Sequence, residues 1–405
     1  MSIIMKKRLL VFALAAFTMT ANAQDQKADS ISHHTKWFER LLKKNDNSQT
    51  NNANSSVKWY DRIKLSGYGM FQYQFEDKEN NKHNYFNLRL LRLSLDGKIS
   101  DFDWRIQMQG SSAKGPGEPT VMLVDLYAEW VKFNALRIKV GQFKRPFTFE
   151  NPSHPITQGW YAYANVINAL SGFGDRTGEK SSAGRDIGIQ IQGDLFKNAS
   201  GRYLFHYQGG VFNGEGINIW DKNQGKDFIG GFWVMPISGL RIGAFGWTGS
   251  RGGMIDPITG ETVSIRKNRY AFSVEYDKNE YTFRAEYLHS QGWGAAGAGS
   301  NEIDYSKGDK ADGWYVFGIV PVIKGKLHAK ARYQCYRQSK CWNGYTDENG
   351  VYVGGAKTMY EVGLNYFFHK NVQLNVEYGR VNDRTIVNPD GHNYNFFDAQ
   401  FDFRF

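Results

Sequence analysis

Apolar and polar residues alternate along most of this chain, a spacing that places every second side chain on the same face of a β-strand. In the stretch 371–378, even-numbered positions are apolar and odd-numbered positions are polar. Most segments with this pattern reach ten or more residues, the length that a tilted membrane-spanning strand needs. The sixteen segments span approximately 62–75, 84–99, 102–111, 121–131, 135–142, 184–196, 202–212, 226–236, 239–249, 266–277, 280–290, 312–323, 325–337, 356–367, 371–381 and 393–405.

The connections between these segments alternate in length. Tight turns such as 277–280 and 322–325 follow the even-numbered segments, whereas longer loops rich in glycine and aspartate follow the odd-numbered ones. This alternation is typical of outer-membrane barrels whose two chain termini lie in the periplasm. A soluble β-sandwich also alternates in polarity, but it requires neither an even strand number nor alternating loop lengths. The pattern therefore predicts an all-β fold, a transmembrane antiparallel β-barrel of 16 strands in the outer membrane.

One connection, between Gly141 and Gly184, is much longer than the others. It holds roughly forty residues with neither a strand nor a helix period, and it contains Pro146, Pro152 and Pro155. Irregular loops of this length inside compact domains usually serve a function. We expect it to fold inward as a constriction loop that narrows the barrel.

The first 59 residues do not share the strand pattern. Residues 1–23 combine a basic start, a short apolar run and an Ala-Asn-Ala site, which predicts a signal peptide. Residues 24–59 are polar and rich in asparagine and serine, so we expect a periplasmic segment that is partly disordered. Residues 60–405 then form the barrel domain.

Composition excludes several classes of protein. The chain has 405 residues, a formal charge of +10 and two cysteines, with no Cys/His cluster at metal-ligand spacing. No Ser/His/Asp constellation stands out, and the glycine-rich run 294–299 lies in a loop, so neither an enzyme nor a cofactor is expected.

A basic exported protein suits anionic solutes. Cys335 and Cys341 are close enough in sequence for a bridge, which the sequence leaves open.

If the apolar face of each strand contacts lipid, the polar face lines a lumen. The apolar face switches between Leu88/Leu90 and Leu91 in the second segment, which predicts a β-bulge there. Fixed basic groups in a narrow passage attract anions and exclude cations. The pore-lining, anion-binding candidates are Arg89, Arg92, Arg105, Arg137, Lys139, Lys144 and Arg145.

Two alternatives remain at this point. Acidic residues also face inward, so the bases could pair with them and only fill the wall with charge. Those acids are Asp125, Glu129, Asp186, Asp194, Glu275, Glu286, Glu361 and Glu377. In a sugar or general-solute porin, Trp160, Tyr161 and Tyr163 would instead form an aromatic slide, although anchoring the loop to the wall is the preferred interpretation of these rings.

Several motifs resemble the phosphate-selective porins of the O and P type. They are Arg89-Leu-Leu-Arg92 with Gly97, Asp103-Trp104 with Gln107, Asp125-Leu-Tyr127, Gly141-Gln-Phe-Lys-Arg-Pro-Phe147 with Glu150, and Gly184-Arg-Asp-Ile-Gly188. The resemblance implies a sixteen-stranded barrel, usually trimeric, that passes small anions such as phosphate through an arginine-lined pore. Its partners would be these solutes, outer-membrane lipid and lipopolysaccharide, with no nucleic acid. Where family members often show adjacent arginines, Arg89 is followed by Leu90.

Overall fold

The computed structural model describes residues 63–79, 81–111, 121–180, 182–221 and 224–405. The predicted signal peptide and periplasmic segment lie outside these residues. Within the described ranges, no helix combines the length and the apolar character needed to cross a membrane.

Sixteen strands form a closed antiparallel barrel in which each strand pairs with the next in the chain and the last pairs with the first. Every strand end lies within two residues of its predicted position. Six strand numbers are missing from the following list because they belong to short hairpins outside the barrel sheet. The barrel strands are β1 (Ile63–Glu76), β2 (His83–Ile99), β3 (Phe102–Gly110), β4 (Val121–Phe133), β5 (Leu136–Lys144), β6 (Arg185–Lys197), β7 (Tyr203–Phe212), β8 (Asp227–Val234), β9 (Leu240–Thr248), β12 (Asn268–Lys278), β13 (Tyr281–Gln291), β16 (Lys310–Ile323), β17 (Leu327–Arg337), β20 (Ala356–His369), β21 (Val372–Asp383) and β22 (Asn393–Arg404).

Three small two-stranded sheets, absent from the sequence prediction, lie in the long connections after β9, β13 and β17. Their strands have two to six residues, too few to show a clear alternation. They are β10 (Ser250–Ile255) with β11 (Thr262–Arg266), β14 (Gly294–Ala295) with β15 (Ile303–Asp304), and β18 (Tyr345–Thr346) with β19 (Tyr352–Val353).

The barrel wall has its apolar face outside. On β12, Phe272 and Val274 are exposed on the outer surface, whereas Ser273 and Glu275 are buried inside. This arrangement, with apolar residues outside and polar residues inside, is stable in lipid. The outward apolar residues contact acyl chains without a free-energy penalty, and every backbone group pairs with a neighbouring strand. The barrel closes through the chain terminus, because Phe405 and Gly67 exchange two backbone hydrogen bonds of 2.9 and 3.0 Å.

The β-bulge predicted in the second segment is present. Met70 pairs with Leu90 and Phe71 pairs with Leu88, so Arg89 is an extra residue without a partner on β1. Bulges redirect side chains. Because of this bulge, the side chains of Arg89 and Arg92 both lie on the inner face of the barrel, although they are three positions apart.

The hydrophobic core lies inside the barrel and is built by the constriction loop, residues 145–184. Phe149 packs edge-to-face on Trp233 and Phe245, with ring centroids 5.6 and 5.4 Å apart. The only α-helix in the described part of the chain, α1 (Asn165–Leu170), buries Val166, Ile167 and Leu170. Edge-to-face ring pairs each contribute about 0.5–1.5 kcal/mol beyond their buried area. The predicted inward folding of the loop is therefore observed.

Candidate permeation pathway

The constriction loop divides the inner surface of the barrel. It packs mainly on the inner face of β8, β9, β12, β13, β16, β17, β20 and β21, which we call the covered wall, and Ile156 also clusters with Leu90 of β2. Trp160, for example, lies against Phe317 and beneath Lys330 and Arg332. Trp160 is buried, so it anchors the loop and forms no exposed aromatic slide.

The inner face of β2, β3, β4 and β5, which we call the open wall, keeps exposed charge. Arg89, Arg105 and Lys139 all retain partial solvent exposure there. Side-chain exposure is 25% for Arg105 and 17% for Lys139. The open wall therefore lies opposite the part of the barrel on which the loop packs.

Four of the seven predicted site residues are paired with carboxylates. Arg105 and Lys139 lie directly opposite their partners on adjacent strands, as the register requires. In each pair the carboxylate offsets the positive charge of the base, so the pair contributes little net electrostatic field. The ion pairs are Arg105–Asp96 at 2.6 Å, Arg137–Asp194 at 2.9 Å, Lys139–Glu129 at 3.0 Å, and Arg145 with Glu179 at 3.0 Å and Asp186 at 2.8 Å.

Arg145 lies at the root of the loop and has no exposed side-chain surface. Its guanidinium bonds Glu179 and Asp186, and its carbonyl oxygen accepts from Asn151 Nδ2 at 2.9 Å. Removing one partner of a buried pair costs about 3–5 kcal/mol, because the other charge stays buried and uncompensated. Arg145 therefore holds the two ends of the loop together.

The other three predicted residues have no carboxylate within ion-pair distance among the residues that the structure describes. Arg89 Nη1 donates to Gln400, and Arg92 donates to Gln109 Oε1 from Nε at 3.1 Å and from Nη2 at 2.7 Å. Amide partners satisfy hydrogen-bonding groups without cancelling charge. Lys144, the third residue, is bonded by oxygens of the loop.

Arg92 follows Arg89 by three positions on β2 and is only 2% exposed. Its guanidinium carbon lies 5.9 Å from the centre of the Tyr68 ring. Its Nη1 has no hydrogen-bond partner in the described part of the chain, and neither has the Tyr68 hydroxyl. A charge in such a site is screened less than a charge in bulk water.

Two further residues belong to this region but were not predicted as site residues. Arg185 bonds Asp125 Oδ1 at 2.5 Å and Gln107 Oε1 at 3.2 Å. His154 lies on the loop, where burial and the positive charges of Arg105 and Arg92 hold the pKa of its imidazole well below the ordinary value. The Gly184–Gly188 motif contains Arg185, but no periodic signal marks His154.

Acidic residues border the same region on β22. Asp398 Oδ2 accepts from Gln72 at 2.5 Å, and Asp402 Oδ2 accepts from Gln373 at 2.8 Å and from Asn375 at 2.6 Å. Neither aspartate has a basic group within ion-pair distance among the described residues. The positive field on β2 therefore fades toward β22. No group of three or more His, Cys, Asp or Glu side chains in the described ranges could hold a metal ion.

The family model described as phosphate-selective porin O and P matches residues 60–207. The chain is an outer-membrane β-barrel porin. The resemblance predicted from the sequence motifs is thereby confirmed over residues 60–207. A search of the curated proteins found no match.

Solved porin structures share the fold of this porin at low sequence identity. OmpF of Salmonella typhi, solved with daunomycin, is 13% identical with a TM-score of 0.61, covering 86% of this chain and 99% of that one. An anion-selective porin from Comamonas acidovorans is 11% identical with a TM-score of 0.57, covering 85% and 99%. The outer-membrane channel DcaP of Acinetobacter baumannii is 10% identical with a TM-score of 0.55, covering 85% and 97%. At these identities the likeness concerns the fold alone.

Proposed function

We propose that this porin lets small anions diffuse passively across the outer membrane, with phosphate-like groups among its solutes. The observation that carries the proposal is the pair Arg89 and Arg92, which have amide partners and no carboxylate partner in the described part of the chain. Arg105, Arg137, Lys139 and Arg145 are paired, so they contribute wall structure more than net field. The family description and the anion-selective porin of like fold support the same solute class.

Planar-bilayer recordings across a potassium chloride gradient test this proposal. Wild-type channels should show a reversal potential of anionic sign, and Arg89→Gln with Arg92→Gln should shift it toward neutrality, because glutamine retains hydrogen bonding without charge. The matched control is Arg380→Gln, since Arg380 is exposed on the outer face of β21. A wild-type channel without anion preference contradicts the proposal, as does a double variant with an unchanged potential. Block by inorganic phosphate in the same recordings separates a phosphate site from a general field.

A sugar or general-solute porin with weak charge preference is the second candidate. The observation in its favour is the polar set on β1, β21 and β22, where Asp398 and Asp402 lie among amide side chains without a basic partner within ion-pair distance. Carboxylates and amides of this kind suit hydroxyl groups. Liposome swelling with neutral sugars distinguishes the candidates, because only this function predicts sugar uptake that changes when Asp398 is replaced by Asn.

The oligomeric state of the porin and its orientation in the membrane are also part of the proposal. The alternation of short and long connections supports periplasmic chain termini, a location that also suits the predicted segment 24–59. We take the porin to be a homotrimer in contact with outer-membrane lipid and lipopolysaccharide, as the family suggests. Mass measurement of the detergent-solubilised channel tests the trimer, and cell-surface labelling of a tag placed before residue 60 tests the orientation.

A further inference from the structure

Lys144 differs from the two arginines in how its donors are used. Its ammonium group donates to the carbonyl oxygens of Asn151 and Ser153 and to the hydroxyl of Tyr163, the last two at 2.9 and 3.1 Å. A lysine ammonium has three donors. All three are therefore directed at oxygens of the constriction loop.

The surroundings of Lys144 complete a cage for the ammonium. The rings of Tyr163 and Phe173 lie 5.1 and 5.4 Å from Nζ, which adds cation–π attraction. The Tyr163 hydroxyl donates onward to Ser153 O at 2.7 Å, so two loop residues that contact Lys144 also contact each other. This network joins the end of β5 to the inner turns of the loop.

Arg89 shows the opposite arrangement. One of its guanidinium nitrogens donates to Gln400, and the side chain keeps partial exposure to the passage. Arginine has five N–H donors. Arg89 can therefore contact a passing solute directly, whereas a solute can feel Lys144 only through space unless the loop moves away.

We propose that Lys144 is a positioning residue that fixes the constriction loop at its working distance from the open wall and thereby sets the width of the passage. This proposal deepens the proposed function, because it assigns the narrowing and the charge preference of one passage to different residues. Arg89 and Arg92 supply the field next to the solute. Lys144 determines which solutes are small enough to reach them.

The test compares single-channel conductance, exclusion of neutral polyethylene glycols of graded size, and reversal potential for Lys144→Met, Arg92→Gln and wild type. Lys144→Met should raise conductance and admit larger polymers, because the loop loses three hydrogen bonds to β5. Lys144→Arg should restore part of the wild-type size limit. Arg92→Gln should move the reversal potential and leave the size limit unchanged, and Arg380→Gln should change neither.

Tyr163→Phe provides a second variant that keeps the lysine. It removes the hydroxyl shared by Lys144 and Ser153, so the size limit should shift in the same direction by a smaller amount. If Lys144→Met lowers conductance and moves the reversal potential as Arg92→Gln does, with no change in polymer exclusion, Lys144 is an anion-contact residue and the positioning role is wrong. That result would leave the anion proposal intact. Conversely, a wild-type channel without anion preference would reject the anion proposal, but the polymer-exclusion test of Lys144 would still be valid.

Discussion

The covered and open walls of this porin hold similar basic side chains but differ in how these side chains are paired with acidic groups. On the covered wall, Lys330 pairs with Glu377 and Arg332 with Glu361, each at 2.6 Å. On the open wall, Arg89 has only an amide partner. Packing of the loop excludes water, and an uncompensated charge is then costly. Arg89 keeps partial solvent exposure, so its charge is tolerated without an acidic partner. Both pairs of the covered wall also bond the loop, whereas the open wall holds both paired and unpaired bases.

The largest effect is expected when a pair that joins the loop to the covered wall is broken. Arg269 holds Asp175 through two hydrogen bonds of 2.7 Å, and neither side chain has exposed surface. Asp175→Asn should cost about 3–5 kcal/mol of unfolding free energy, because Arg269 would remain buried without its counter-charge. Urea unfolding in detergent measures this.

The matched control is Glu76→Gln, since Glu76 lies 3.8 Å from His83 and both are partly exposed. Exposed pairs contribute at most about 1 kcal/mol. Equal stability losses for the two variants would mean that burial by the loop does not govern the value of a pair.

A smaller, pH-dependent effect is expected at Glu150 on the loop. Burial raises the pKa of its carboxyl to about 7, against the opposing influence of Arg284 and Arg332. Its Oε2 has no hydrogen-bond partner among the described residues. A carboxyl whose pKa is higher when packed favours the packed loop below its ordinary pKa and loses that advantage as the pH rises through about 7.

The melting temperature of the wild-type barrel should therefore fall between pH 5 and pH 8 by more than that of Glu150→Gln, which cannot ionise. Thermal unfolding by circular dichroism at the two pH values measures the difference. Parallel curves for the two proteins would show that Glu150 is not the group that responds.

The smallest effect concerns the thiols. Cys335 is buried, Cys341 is half-buried, and no disulfide joins them. Brief alkylation of the folded, non-reduced protein should label Cys341 alone, and unfolding should expose the second thiol, because reactivity requires access. Mass spectrometry counts the adducts. No adduct before reduction would indicate a bridge, and two fast adducts would show that the wall beside Cys335 opens readily.

The strands were predictable because a membrane barrel imposes a strict spacing on every crossing, and turns such as 277–280 interrupt it visibly. Pairs between adjacent strands follow once the register is known, since Asp96 lies opposite Arg105 and Glu129 opposite Lys139. The contacts of the loop could not be predicted. Arg145 reaches Glu179, 34 positions away, through an irregular path without a period. The division between covered and open walls depends on such contacts.

The bulge on β2 has a genetic consequence. Leu88 faces outward and Leu90 inward, so removal of Arg89 would restore a regular alternation without turning any other residue of the strand to the opposite face. A one-residue shift in an ordinary strand would exchange its lipid and water faces. Here, the gain or loss of a single codon adds or removes one basic group in the passage and leaves the lipid-facing surface unchanged. Channels of different charge preference could therefore diverge by one small in-frame insertion, without an intermediate in which the barrel cannot form.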